Sequence, residues 1–168
     1  MLYRRGASPH QSITRVVSLA SLAWAAALVA SATSSAFRAS LPGRALFVVP
    51  PLASWALAGL GLALMAASQA SMGSAFRVGQ DELDAPPELR CGGLHALTRN
   101  PIYVGSWTYL AGMTLWHPSP ILLALCGLVG LGIHGLVLAE EAFLHARFGA
   151  AYEAYCARTP RYLLGGRR

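Results

Sequence analysis

Two short stretches of this chain gather the side chains that chemistry uses. Leu97–Gly105 reads LTRNPIYVG and sets Arg99, Asn100, Pro101 and Tyr103 directly ahead of an apolar run. Leu138–Gly149 reads LAEEAFLHARFG and carries Glu140 and Glu141 side by side. An arginine can orient an anionic group, and a carboxylate can hold a cation or accept a proton. Adjacent helical residues point about 100° apart, so the two glutamates need not share a role. The plainer structural reading is an Arg99–glutamate pair that only anchors helix ends. Two adjacent carboxylates in a basic chain with few acids tip the balance towards function, because ionisable groups at membrane depth are costly and usually functional.

Membrane depth is what the rest of the sequence dictates. The chain has 168 residues, 55% hydrophobic and only 12% charged, which suits a single domain spanning residues 1–168 whose solvent is largely lipid. Uncharged runs separate the arginines at 16–37, 45–76 and 100–139. A crossing needs about 20 apolar residues. The third run is therefore expected to fold back on itself at WHPSP (116–120), as a tight hairpin of two helices. The expected fold is all-α and polytopic, with about four transmembrane helices at 14–33, 48–70, 101–116 and 120–140. The third helix is short and is expected to be tilted, broken or partly shielded by protein. Beyond Glu140, Leu144, Phe148, Tyr152 and Tyr155 recur at helical spacing, which predicts a C-terminal amphipathic helix at the membrane interface. The first apolar run also resembles a signal peptide with a small-residue cleavage site at Ala30–Ala32, but its length favours a retained helix.

Every one of the 13 basic residues is arginine. With the N-terminus inside, eleven fall on cytoplasmic segments and only Arg38 and Arg44 on the opposite side, a strong positive-inside bias. Both termini and the loop at 71–100 are thus expected in the cytoplasm of a bacterial cell, with the protein integral to its cytoplasmic membrane. That loop holds four of the seven acids, in DELDAPPE (81–88), and its paired prolines argue against a continuous helix. The arginines form no basic face, so nucleic acid is not an expected partner. Cys91, Cys126 and Cys156 have no zinc or disulfide spacing. His117 and His134 lie at different depths, and Glu141 with His145 lacks further ligands. No metal is expected. Gly59 and Gly61, set among alanines, predict close packing of the second helix against a neighbour.

Asn100 is a favoured N-cap and Pro101 fits the first helical position, so the third helix starts at the cytoplasmic face with its free N–H groups there. From Pro120 to Ala139 the fourth helix rises about 30 Å, one hydrocarbon thickness. It returns Glu140 and Glu141 to the depth at which Arg99, Asn100 and Tyr103 stand. The topology alone is expected to bring these five residues together.

The stretches CGGLHALTRNPIYVG and LAEEAFLHARFGAAYEAYCARTPR resemble the isoprenylcysteine carboxyl methyltransferase and phospholipid methyltransferase superfamily of integral membrane enzymes. Its members typically carry Arg-His-Pro-x-Tyr-x-Gly, a helical hairpin, then Glu-Glu, Phe-Gly-x-x-Tyr-x-x-Tyr and Pro-Arg. Arg99, Pro101, Tyr103 and Gly105 match the first motif. Glu140, Glu141, Leu144, Phe148, Gly149, Tyr152, Tyr155, Pro160 and Arg161 match the second. MGSAFRVGQDE (72–82) resembles a loop of bacterial members. The chain departs from the pattern at Asn100, where histidine is usual, and at His95, where Tyr or Phe is usual.

The resemblance implies S-adenosylmethionine as cofactor, held between the start of the third helix and the end of the fourth. Free N–H groups of the helix start that Asn100 and Pro101 open, with Arg99, would take its carboxylate. Glu140 or Glu141 would take its ammonium or ribose. Tyr103 would offer an aromatic face and a hydroxyl, His95 would stand at the family's aromatic position, and Gly92, Gly93 and Gly105 would allow close backbone approach. Arg99 and Glu141 are the candidate catalytic residues: Arg99, or Arg77, to orient a carboxylate acceptor, and Glu141 to take a proton from an amine. The acceptor would be lipid-like or amphiphilic, bearing a carboxylate, thiol or amine, and it would arrive sideways from the bilayer. Two other readings are a membrane reductase on a related scaffold and a non-catalytic membrane component. Oligomeric state is not legible.

Overall fold

A computed structural model describes residues 9–34, 49–72 and 88–163. Arg4, Arg5, Arg38, Arg44, Arg167, Arg168, the acidic run to residue 87 and the stretch with Arg77 lie outside the described residues. The described chain is all-helical. Its helices are α1 (Pro9–Thr33), α2 (Pro51–Met72), α3 (Pro101–Trp116), α4 (Pro120–Phe148) and α5 (Ala150–Arg158), with a 3₁₀ turn at Gly93–Ala96. Prolines at the first positions of α3 and α4 set each start, because the missing N–H would have been unpaired there anyway. Ser119 caps α4 by accepting from the Leu122 N–H at 3.4 Å. The turn between α3 and α4 is as short as WHPSP predicts.

α2 and α4 are long and apolar enough to cross a membrane. α3 has 16 residues, about 24 Å of rise, and the apolar part described for α1 is Arg15–Ala30. The fourth helix runs two turns beyond its expected membrane span of 120–140, to Phe148. It stops at Gly149, whose φ of +49° is a left-handed backbone that favours glycine.

Packing pairs the helices in an order the hairpin did not predict. α2 lies along α3 and α1 along α4, whereas α3 and α4, though consecutive, touch over much less of their length. Small residues explain the first pairing. A Cβ on Gly61 would stand 2.3 Å from the Tyr109 backbone nitrogen, one on Gly105 2.8 Å from the Gly61 carbonyl, and one on Gly112 2.4 Å from the Ala58 nitrogen. Such backbone contact is the usual device where lipid removes the hydrophobic drive between helices. Gly61 thus packs as expected, while Gly59 has open space around it. On the other side, Ala20, Trp24 and Leu28 of α1 join Leu110 of α3 and Leu122, Val129 and Ile133 of α4 in one buried cluster. Trp24 ties it together by donating its indole N–H to Thr114 Oγ1 at 3.1 Å.

Candidate active site

The polar residues meet where the start of α3, the end of α4 and the segment after α5 converge. Residues 98–100 and 159–161 run side by side. The Arg99 N–H donates to the Pro160 carbonyl at 2.9 Å, and Thr98 Oγ1 donates to the Arg161 carbonyl at 2.9 Å. Asn100 occupies the N-cap position, but its side chain caps nothing. Its amide instead donates to Glu141 Oε1 and to the Arg161 carbonyl, both at 3.2 Å. A hydrogen bond to a buried carboxylate outcompetes an ordinary cap.

Glu141 is the hub of this cluster. Arg161 brings Nε and Nη2 to its Oε2 at 2.9 and 2.8 Å, and Arg99 brings Nη2 to within 3.6 Å of Oε1. The Glu141 side chain is only 10% exposed and that of Arg99 13%, so the pair is shielded from water, while Arg161 is the more open partner at 38%. Arg161 is held even more firmly protonated than usual, chiefly by its hydrogen bond to Glu141. Arg99 also donates from Nη1 to the Cys156 thiol, and its Nε is buried with no hydrogen-bond partner among the described residues.

Glu140 faces elsewhere, as the 100° step requires, and meets the Tyr103 hydroxyl. Tyr152 and Tyr155 point inward from α5 and are almost fully buried. Burial first, then nearby groups, raises both phenols above the usual tyrosine range. The Tyr155 hydroxyl donates to the His95 carbonyl at 2.6 Å, fastening α5 to the 3₁₀ turn. The His95 imidazole is held below its usual pKa by burial, then by the charge of Arg90.

Of the sequence candidates, Arg99, Asn100 and Glu141 form one contact group, and Tyr103 and Glu140 form a second. Pro101 is buried at the start of α3. Gly93 turns the chain with φ of +60° and, like Gly92, has open space where a side chain would be. Gly105 faces α2, its Cβ space filled by Gly61 and Met65, so close approach there serves helix packing. Sequence reasoning assigned no role to Thr98, Cys156 or Tyr162, and gave Arg161 a place in a motif but none in the site. Two signals pointed to them: the Pro160–Arg161 pair that closes the second motif, and the helical spacing that sets Cys156 near Tyr152.

Among the described residues, no three His, Cys, Asp or Glu side chains come together as metal ligands would. His145 pairs with Glu153 at 2.9 Å rather than with Glu141. A family model described as phospholipid methyltransferase matches residues 51–151, which takes in α2, α3, α4 and both glutamates. No curated protein and no solved structure matches the chain.

Proposed function

The chain belongs to the phospholipid methyltransferase family, a family of membrane methyltransferases, and from that premise we propose that it moves a methyl group from S-adenosylmethionine to a lipid-like acceptor at the cytoplasmic face. The observation that carries the reading is the meeting of Arg99, Asn100 and Glu141 from opposite ends of the α3–α4 hairpin, next to Tyr103 and Glu140. The donor set suits a zwitterionic cofactor. Arg99 has a buried Nε without a hydrogen-bond partner among the described residues, suited to a carboxylate, and Glu140 sets a carboxylate beside the Tyr103 hydroxyl. When bound, the sulfonium supplies an electrophilic methyl group for in-line displacement, so positioning does much of the catalysis.

In this reading Arg99 and the backbone about Asn100 hold the cofactor's carboxylate, and Glu140 with Tyr103 receives its ammonium or ribose hydroxyls. Gly93 and His95 form the wall beside it. Glu141, gripped by two guanidinium groups and an amide, chiefly fixes Arg99 in place. To accept a proton from an amine, it would first have to loosen Arg161, its most exposed partner. A thiolate or carboxylate acceptor needs no such base. α1 and α3 would complete four crossings with α2 and α4, both termini facing the cytoplasm, as one membrane domain.

Calorimetric titration of the purified protein with S-adenosylhomocysteine tests the proposal. Saturable binding that Arg99→Ala and Glu140→Gln each weaken at least tenfold is expected. Lipid-extractable label from a radioactive methyl donor should then appear on incubation with bilayers. Absence of binding by the folded wild type would overturn the reading.

A further inference from the structure

A cavity of about 470 Å3 lies between α3 and α4. It exists because those two helices pack on α2 and α1 instead of on each other. Trp107 forms one wall, and its indole occupies the space that any side chain at Gly130 would need. Leu131 stands at the rim and is 71% exposed, so the cavity reaches the outer, apolar surface of α4. Tyr162 closes the other end, directly after Arg161 of the Glu141 cluster. The cavity therefore leads from the lipid-facing surface towards the candidate active site.

Its polar equipment is sparse. None of the described residues lining it is charged. Thr108 spends its hydroxyl proton on the Val104 carbonyl at 2.8 Å. His134 Nδ1 and the Tyr162 hydroxyl are hydrogen-bonded at 2.8 Å, and His134 Nε2 makes no hydrogen bond among the described residues. If the phenol donates to Nδ1, then Nε2 carries the proton and donates; if Nδ1 donates, Nε2 accepts. The pair can thus meet a neutral donor or a neutral acceptor. A charged head in the same place would lose its hydration without gaining a counter-ion from the described lining residues. The volume is that of a small-molecule site, which typically runs roughly 300–1,000 Å3.

We infer that this cavity is the acceptor pocket, and that it takes a small single-tailed amphiphile with an uncharged, hydrogen-bonding head placed on His134. The tail would lie along Trp107 and leave past Leu131. This rests on the methyltransferase reading and narrows it: an un-ionised amine or a thiol is favoured over a carboxylate, and a charged lipid head is disfavoured. His134 and Tyr162 become the residues that set specificity.

The test is photolabelling of the full chain in lipid nanodiscs with a 4-octylphenol whose tail bears a diazirine, the labelled residues being mapped by mass spectrometry. Expected is saturable label on the cavity walls of α3 and α4, competed by 4-octylphenol. Octylbenzene should compete at least tenfold more weakly, and octyl phosphate more weakly still. Leu131→Trp, a change at an exposed rim position, should abolish the label. His134→Leu should raise the half-saturating concentration about tenfold, the equivalent of one good hydrogen bond. Equal competition by octylbenzene or octyl phosphate, or label that Leu131→Trp leaves untouched, would overturn the inference. S-adenosylhomocysteine binding is measured on the same nanodiscs. Cofactor binding without cavity label removes this inference alone. Label without cofactor binding removes the methyltransferase reading, and the acceptor role with it.

Discussion

Glu140 and Glu141 are neighbours in sequence and are set to different work by one helical step. Glu141 turns into the protein, where Arg99, Asn100 and Arg161 hold it, and Glu140 turns to Tyr103. Their substitutions should part accordingly. Glu141→Ala strands Arg99 without its buried counter-ion, a change worth about 3–5 kcal/mol, and is expected to lower the melting temperature sharply. Glu140→Gln should weaken S-adenosylhomocysteine binding with little loss of thermal stability. Melting and calorimetry on both variants check the contrast. A second consequence concerns His95, whose pKa is depressed below the ordinary 6.5 by burial and by Arg90. Between that value and the lowered one, the unfolded chain binds a proton that the folded chain refuses, so stability rises with pH there. It should be complete above pH 6.5 and fall as the solution is acidified below it. Melting curves at pH 7.5 and 5.5 should show this loss, and His95→Gln should reduce it.

Helix α3 is held by glycine rather than by large apolar side chains. Gly105→Ala would push a methyl group into the Gly61 carbonyl and the Met65 backbone, and Gly112→Ala into Ala58. Backbone cannot give way as a side chain can, so each should destabilise by about 1–3 kcal/mol. Gly59→Ala, with open space around it, should be neutral or slightly stabilising. Reversible unfolding in detergent separates the two outcomes. The same close contact explains why α3 parts from α4. Once α3 lies backbone to backbone on α2, its other face meets α4 over a shorter length, with Trp107 seated in the Gly130 notch, and the cavity lies beside it.

For the whole molecule, the arginine distribution sets the frame in which the site must work. Eleven of thirteen arginines fall on segments assigned to one side, which predicts that both termini and the candidate active site face the cytoplasm. Protease or biotinylation access to tags at each terminus should be seen only after the membrane is opened, and protection of neither in sealed cells would reverse the assignment. The segment after α5 then acts as a strap. Its backbone at Pro160 and Arg161 binds residues 98–100, while the Arg161 and Tyr162 side chains reach Glu141 and His134.

Local chemistry made much of this protein legible in its sequence. Charge-free runs of given length, prolines at helix starts and a turn at WHPSP gave an all-α chain with α3 at its observed limits. The count of turns from Pro120 back to the side where α3 begins brought Glu141 to Arg99 and Asn100. Those properties depend on rise per residue and on the cost of charge in lipid, which each segment carries alone. What the tertiary structure decided were relations between segments. It chose α2 as the partner of α3, which turned Gly105 from a candidate ligand contact into a packing surface. It released Asn100 from capping, because a buried carboxylate was the stronger acceptor, and it filled Glu141 with Arg161 from 20 residues further on. The cavity at His134 was the least legible feature, since an empty space belongs to no residue and arises only from how neighbours fail to meet.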